Sequence, residues 1–254
     1  MTVLVAASER DPAALNIASW LMRDYGFDRS TEYPESQVFQ KGDVLLARIK
    51  EESIYAETVD TLARTDAVIF ASKHKSEKGE PGLTVHCTGN VLNEAPYGGR
   101  PRSLALAEPN RMRAALLALS ESREELGLPY LVSLEATHHG PTELRVPSMF
   151  VEIGSSEREW KDPTAGKAVA RAIWTAATCP SKGTQAVGFG GGHYSWKHTE
   201  VVMNGQFAIG HILSKYFFES YDSAIVDLAF RRTVGECSHA VIDKKGIRGA
   251  ERNA

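Results

Sequence analysis

Residues 3–26, VLVAASERDPAALNIASWLMRDYG, decide the fold. Residues 3–7 form an apolar run, Asp11-Pro12 follows, and Leu15, Ile17, Ala18, Leu21 and Met22 then recur at helical spacing as far as Tyr25-Gly26. That order predicts a strand, a turn and a helix. Asp11 can accept a hydrogen bond from an orphan amide as the N-cap, Pro12 suits the first helical position, and Gly26 can take the left-handed conformation that ends the helix.

The same vocabulary recurs along the chain. Short runs rich in Val, Ile and Leu at 44–49, 67–71, 83–87, 130–134, 149–153 and 185–189 read as strands buried on both faces. Glu108-Pro109 opens a helix through Met112, Ala115, Leu116 and Leu119 that stops before Gly127. Asp162-Pro163 opens another through Val169, Ala170, Ile173 and Ala176. A third helix is expected over 206–221, with Ile209, Ile212, Leu213 and Phe217 on one side, and a strand or further helix over 224–230. Buried strands alternating with amphipathic helices argue for an α/β protein, a three-layer α/β/α sandwich around a mixed, largely parallel sheet. No repeat or linker divides the chain, so residues 1–254 are expected to form a single domain. The longest weakly patterned segment, 89–102, reads as a binding or mobile loop carrying Arg100 and Arg102.

With 254 residues, 43% of them apolar, the chain can bury a sizeable core, which excludes a disordered or mini-protein class. No apolar run approaches the roughly 18 residues of a membrane span, and Glu9, Arg10 and Asp11 stand where a signal peptide needs apolar residues, so no membrane association and a cytoplasmic location are expected. Cys87, Cys179 and Cys237 are too few and too far apart for a disulfide framework or a zinc knuckle, so any metal must rest on His and carboxylates. A formal charge of -3 removes the simplest argument for a nucleic-acid-coating protein. The terminal KKGIRGAERNA nevertheless forms a small cationic tail.

The polar chemistry concentrates in short segments that follow or end the expected strands. They carry His74 in SKHKSE (72–77), His86 in TVHCTGN (84–90), His138 and His139 in EATHHGPTE (135–143), and His193 and His198 in GFGGGHYSWKH (188–198). Neutral imidazole is a good zinc ligand, and a catalytic site needs three protein ligands and an open position. His86, His138, His139 and His193 supply enough nitrogens. His138 and His139 are adjacent, and in an extended strand adjacent side chains diverge, so one of them is expected to serve a supporting role or the substrate. Glu135, Glu143, Glu152 and Glu157 share one stretch. Glu152, inside MFVEI (149–153), needs a partner or a metal, because a buried carboxylate otherwise costs several kcal/mol. The turn of Gly190, Gly191 and Gly192 could bring amides close to an oxyanion, but it lacks the order of a dinucleotide or phosphate loop. There is no G-x-S-x-G elbow, and Cys87 cannot share a proton with its strand neighbour His86, which leaves attack by water. Taken alone, these residues support an α/β metal-dependent hydrolase. A phosphorylase-like enzyme acting on a free small molecule and a non-catalytic tRNA-end or metal-binding module stay open beside it.

The five segments SKHKSE, LTVHCTGN, EATHHGPTEL, FVEIGSSE and GFGGGHY, in this order, closely resemble the archaeal and plant type of D-aminoacyl-tRNA deacylase, often called D-tyrosyl-tRNA deacylase. The resemblance runs from the first strand to near the C-terminus. It implies a phosphorylase/hydrolase-like fold and hydrolysis of the ester joining a D-amino acid to the terminal adenosine of tRNA. It also implies dependence on zinc, one or two ions per chain. By motif position it carries over His86, His138, His139 and His193 as site residues, all four as metal ligands by imidazole chemistry, with His138, His193, Glu143 and Glu152 as catalytic candidates. Lys73, His74, Asn90, Gly190, Gly191 and Gly192 are the expected substrate contacts. Phosphate contacts are expected from Lys73, Lys75, Lys78, Arg100, Arg102 and the terminal lysines, and stacking of the CCA end from Tyr97, Tyr194 or Trp196. The expected partner is the tRNA acceptor end, and the expected state a monomer or small homo-oligomer.

Overall fold

A computed structural model of the chain describes residues 1–33, 37–76 and 79–247. Lys78 and the tail beyond residue 247 lie outside them. In chain order the elements are β1 (Val3–Ser8), α1 (Pro12–Tyr25), β2 (Asp28–Arg29), β3 (Val38–Lys41), β4 (Val44–Ile49), β5 (Ala67–Lys75) and β6 (Gly82–His86). There follow β7 (Gly89–Asn90), β8 (Ser103–Leu104), α2 (Pro109–Glu125), β9 (Leu131–Leu134), β10 (Ser148–Ser155), α3 (Glu157–Trp160) and α4 (Pro163–Thr178). The last third holds β11 (Thr184–Phe189), α5 (Trp196–Asn204), β12 (Phe207–Leu213), α6 (Ser223–Arg231) and β13 (His239–Ile242).

The helix starts obey their capping residues. Asp11 accepts from the amides of Ala13 (2.8 Å) and Ala14 (3.1 Å), Gly26 closes α1 at a φ of 66°, and Asp162 accepts from Thr164 at 2.8 Å. Glu108 does not cap α2. Its carboxylate instead takes Nε of the buried Arg111 at 2.7 Å, and the same guanidinium donates to the carbonyls of Ala176 and Ala177 at 2.7 and 2.9 Å, among the orphan acceptors of the last turn of α4.

Eight strands form one sheet in the order β2-β3-β4-β1-β5-β10-β6-β9. Strands β4, β1, β5 and β10 run parallel, β6 runs antiparallel to β10, and β9 runs parallel to β6. This is the mixed, largely parallel α/β sheet that the alternation of strands and helices predicts. Side chains alternate between its two faces. Ile69, Ala71, Val85, Leu134, Val151 and Ile153 face a core shared with α1, α2 and α4. Leu4, Phe70 and Phe150 face the other way, into a core closed by segments around residues 56–63 and 144–146. Beyond Phe70 and Phe150, that second face turns polar.

A three-stranded parallel sheet, β12-β11-β13, stands beside the first. The segment after β9 joins the two, with the Ala136 amide on the His193 carbonyl (2.8 Å) and the Thr137 amide on that of Ile212 (2.9 Å). Here the expected helix over 206–221 is overturned: 207–213 is strand β12 and only 217–220 makes a single 3-10 turn. The run FAIGHIL is buried along almost its whole length, so its apolar residues carry no periodic signal. The segment 224–230, left as strand or helix, lies in α6, capped by Asp222.

Because Arg111 satisfies Glu108 and two carbonyls of α4, Arg111→Ala is expected to lower the unfolding free energy by about 3 kcal/mol in urea titration, the cost of leaving a buried pair half broken. A change within error would mean that the contact is dispensable.

Candidate active site

Strand alternation puts Ser72 and His74 of β5, Thr84 and His86 of β6 and Glu152 of β10 on the polar part of one sheet face, since Glu152 pairs with Ser72 on one side and Thr84 on the other. Glu135 follows β9 on the same face, one residue past the Val85–Leu134 register pair. His86 lies level with Phe150, four residues back along β10 from the partner of His74. The histidines therefore do not gather at one sheet edge. They converge over the face, from the carboxyl end of β5 and from the oppositely directed β6 and β9.

Glu135 is the hub. Its Oε1 lies 3.2 Å from His74 Nδ1, and its Oε2 lies 3.4 Å from His193 Nε2 and 3.7 Å from His138 Nε2. Glu152 Oε2 lies 3.4 Å from His74 Nδ1 and 3.6 Å from His86 Nε2. His74 Nε2 meets the Tyr194 hydroxyl at 3.0 Å. His138 and His139, expected to diverge, both face the cluster with ring centroids 4.3 Å apart. The reason is local: His139 has a φ of 43°, so the chain is not extended there. The turn is packed from outside, because a Cβ on Gly140 would fall 2.3 Å from the Gly99 nitrogen and 2.8 Å from the Ile54 carbonyl oxygen.

Nδ1 of His86, His138 and His139 faces the main-chain carbonyls of Cys87 (3.3 Å), Ala136 (2.8 Å) and Gly140 (2.6 Å). A carbonyl only accepts, so these contacts put a proton on each Nδ1 and leave Nε2 to point elsewhere. The three rings can offer ligand atoms lying within 4.8 Å of one another, as can the sets His74, Glu135, His193 and His86, Glu135, Glu152. His86 Nε2 and both Glu135 oxygens are buried without a hydrogen-bond partner. This nitrogen and oxygen donor set fits a zinc-type cation.

Burial disfavours charge on every group here, and the carboxylates override it for their neighbours. His74 is raised to about 9 against its burial by the hydrogen bond to Glu152 and the charge of Glu135, and His86 is raised in the same way. Burial would push both glutamates up, but their histidine partners hold them below the usual carboxylate range. Burial and neighbouring histidine charges push His138 well below its ordinary value, and burial with His86 takes His139 down to about 4. The carboxylates thus favour the protonated ring of His74 and, in the same direction, that of His86, while His138 and His139 are held neutral and able to ligate.

A cavity of about 510 Å³ opens onto this cluster, its wall including Asp11, Glu52, Lys73, Lys75, Tyr97 and His193. Other expected site residues lie elsewhere. Glu143 pairs with Arg100 at 3.0 Å and lines a separate cleft of about 530 Å³ with Tyr55, Asp60 and Arg145. Asn90 donates to the Gly98 carbonyl at 2.9 Å, holding the loop rather than facing the cavity. Gly190, Gly191 and Gly192 are absent from the cavity wall: the Gly190 amide is spent on the Leu213 carbonyl at 2.8 Å, and Gly190 and Gly191 back onto Asp243. Arg102 pairs with Asp222. Tyr97 is 63% exposed at the cavity, and Trp196 lies against Tyr194 with ring centroids 5.7 Å apart at a tilt of 34°. His198 is spent on the Val241 carbonyl at 3.1 Å, and burial pushes the Cys87 thiol up to about 12. The sequence reading passed over Glu135 as a site residue, and its signal was slight, a carboxylate one step beyond a buried strand.

A family model described as D-aminoacyl-tRNA deacylase matches residues 61–254. A protein of Pyrococcus furiosus named D-aminoacyl-tRNA deacylase is 38% identical over 98% of this chain and 93% of its own length. One of that name from Methanosarcina acetivorans is 37% identical over 98% of this chain and 86% of its own. A crystal structure described as a conserved protein of unknown function superposes with a TM-score of 0.91 at 34% identity, covering 99% of this chain and 89% of that one.

His74 titrates at about 9 in the fold against an ordinary 6.5, so its stabilising contribution is complete below 6.5 and is lost as pH rises through 9. Chelator-treated protein is expected to show a falling urea midpoint over that interval, with a shallower fall in His74→Gln. An identical slope in the variant would place the effect elsewhere.

Proposed function

The chain belongs to the D-aminoacyl-tRNA deacylase family, and from that premise we propose that the histidine and glutamate cavity hydrolyses the ester of a D-aminoacyl-tRNA, D-tyrosyl-tRNA among its substrates, with the help of zinc. Family membership makes the protein an ester hydrolase acting on aminoacyl-tRNA, a role in translation quality control. Among the described residues no helix is long and apolar enough to cross a membrane. Together with a tRNA substrate this supports a cytoplasmic location.

One observation carries the reading: a cavity opens onto two buried glutamates and neutral imidazoles, and among the described residues it holds no activated nucleophile, which leaves water to attack. His86, His138 and His139 would hold the metal, and His74, Glu135 and His193 offer a second set of donors. A bound zinc ion supplies Lewis acidity toward the ester carbonyl and the attacking water. The chain's own residues handle the proton. Glu135 faces His193 Nε2 at 3.4 Å, which leaves Nδ1 as the basic nitrogen of that half-exposed ring. As the water oxygen bonds to the ester carbon, His193 takes its proton and returns it to the departing ribose oxygen. Free D-amino acid and tRNA result. Lys73 and Lys75 on the cavity wall suit phosphates of the acceptor end, and Tyr97 suits a terminal base.

Deacylation of D-Tyr-tRNA and L-Tyr-tRNA by metal-stripped and zinc-restored protein tests both halves. Turnover is expected on the D-ester only, and only with metal restored; equal rates on the two stereoisomers would defeat the proofreading role, and full activity after stripping the zinc dependence.

Alanine at His138 or His193 and Glu135→Gln are each expected to cost at least about 100-fold in kcat, the usual effect of losing a principal transition-state contact. Glu143→Gln is expected to stay near wild type. A strong loss in Glu143→Gln with none in Glu135→Gln would reverse the assignment.

A further inference from the structure

Three carboxylates line the cavity, from Asp11, Glu52 and Glu152. Two are spent. Asp11 accepts from the amides of Ala13, Ala14 and Lys73 and from the Ser72 hydroxyl, at 2.8 to 3.2 Å. Glu152 is engaged by His74, His86 and Thr84 at 3.4 to 3.6 Å. Glu52 has no partner for its side chain among the described residues. It precedes the turn Ser53–Tyr55 without capping it, and it is half-buried on the cavity wall. Its position is firmly held, because the Ile54 carbonyl two residues on packs against Gly98 and against Gly140, the neighbour of His139.

A carboxylate left over in a site built for an ester has a ready counterpart in the substrate. An aminoacyl ester carries an α-ammonium two bonds from its carbonyl carbon, and the lysines of the wall repel that cation. We infer that Glu52 recognises the α-ammonium group of the aminoacyl moiety and so makes the free-amine ester the preferred substrate over an N-acylated one. The inference rests on the deacylase reading of this cavity. It also gives handedness a physical handle: with the carbonyl held at the histidines and the ammonium at Glu52, the side chain of a D-residue and that of an L-residue must leave the α-carbon toward different walls.

The test compares D-Tyr-tRNA with N-acetyl-D-Tyr-tRNA, which lacks the cation. In zinc-loaded Glu52→Gln, kcat/KM on D-Tyr-tRNA is expected to fall about 10- to 100-fold, the range for a lost charge-assisted hydrogen bond, while the N-acetyl ester is turned over as in wild type. Glu52→Asp is expected to fall between. Equal losses on both esters, or no loss on either, would overturn the inference. Calorimetric binding of the non-hydrolysable 3′-(D-tyrosylamino)-3′-deoxyadenosine and its N-acetyl form repeats the comparison without turnover. Wild-type protein that hydrolyses neither ester would sink the deacylase reading, and the binding pair would still decide Glu52: weaker binding of the free amine alone in Glu52→Gln supports it, and unchanged binding refutes it.

Discussion

Two carboxylates, Glu135 and Glu152, are buried together with no Lys or Arg within ion-pairing distance among the described residues, and apart from the Thr84 hydroxyl at 3.5 Å from Glu152 their partners there are histidines. Burying one unpaired carboxylate costs several kcal/mol, and two side by side cost more. The site has two ways to meet this cost. Protonated His74 and His86 can balance the charge, or a divalent cation can. The zinc proposed above would take the second way, at the space between His138 and Glu135. A neutral ring with its proton on Nδ1 turns a lone pair from Nε2 toward a carboxylate oxygen 3.7 Å away. Two acceptors face each other there, and a cation between them turns repulsion into coordination.

That arrangement depends on the sheet being mixed. Were β6 parallel to β10, His86 at its carboxyl end would lie at the edge beside His74. The reversal of β6 brings it level with Phe150, so Glu152 stands between the two rings and touches both. Strand β9 follows the direction of β6 and delivers Glu135 and then His138 to the same face. The rigid helical layer on the other face leaves this side to loops, and loops can hold His139 in a conformation that no strand would permit.

Much of this is legible in the residues and some is not. The strands at 44–49 and 185–189 and the Asp-Pro helix starts are written in local composition, and the structure repeats them almost residue for residue. Glu152 is legible because a carboxylate inside MFVEI has no cheap explanation. Glu135 is less so, since a polar residue just past LVSL looks like an ordinary turn, and its role exists only through the register of β9 on β6. The glycines at 190–192 mislead for a related reason. Glycine signals close approach of something, and at Gly190 it is the Asp243 carbonyl and Ile247, some fifty residues downstream. The segment 207–213 misleads because burial on all sides erases the periodicity that separates strand from helix.

A protein of net charge -3 that takes tRNA must attract it locally. The obvious arginines contribute little, since Arg100 and Arg102 are each paired with a carboxylate. Lys73 and Lys75 on the cavity wall have no carboxylate within ion-pairing distance among the described residues, which on the proposed function leaves them for the phosphates nearest the ester. Were these two lysines to carry the phosphate contacts, affinity would come largely from the last nucleotides and the amino acid itself. On the function proposed above, such an enzyme would read the end of its substrate rather than the body of the tRNA, which would suit an ester hydrolase that accepts many tRNAs.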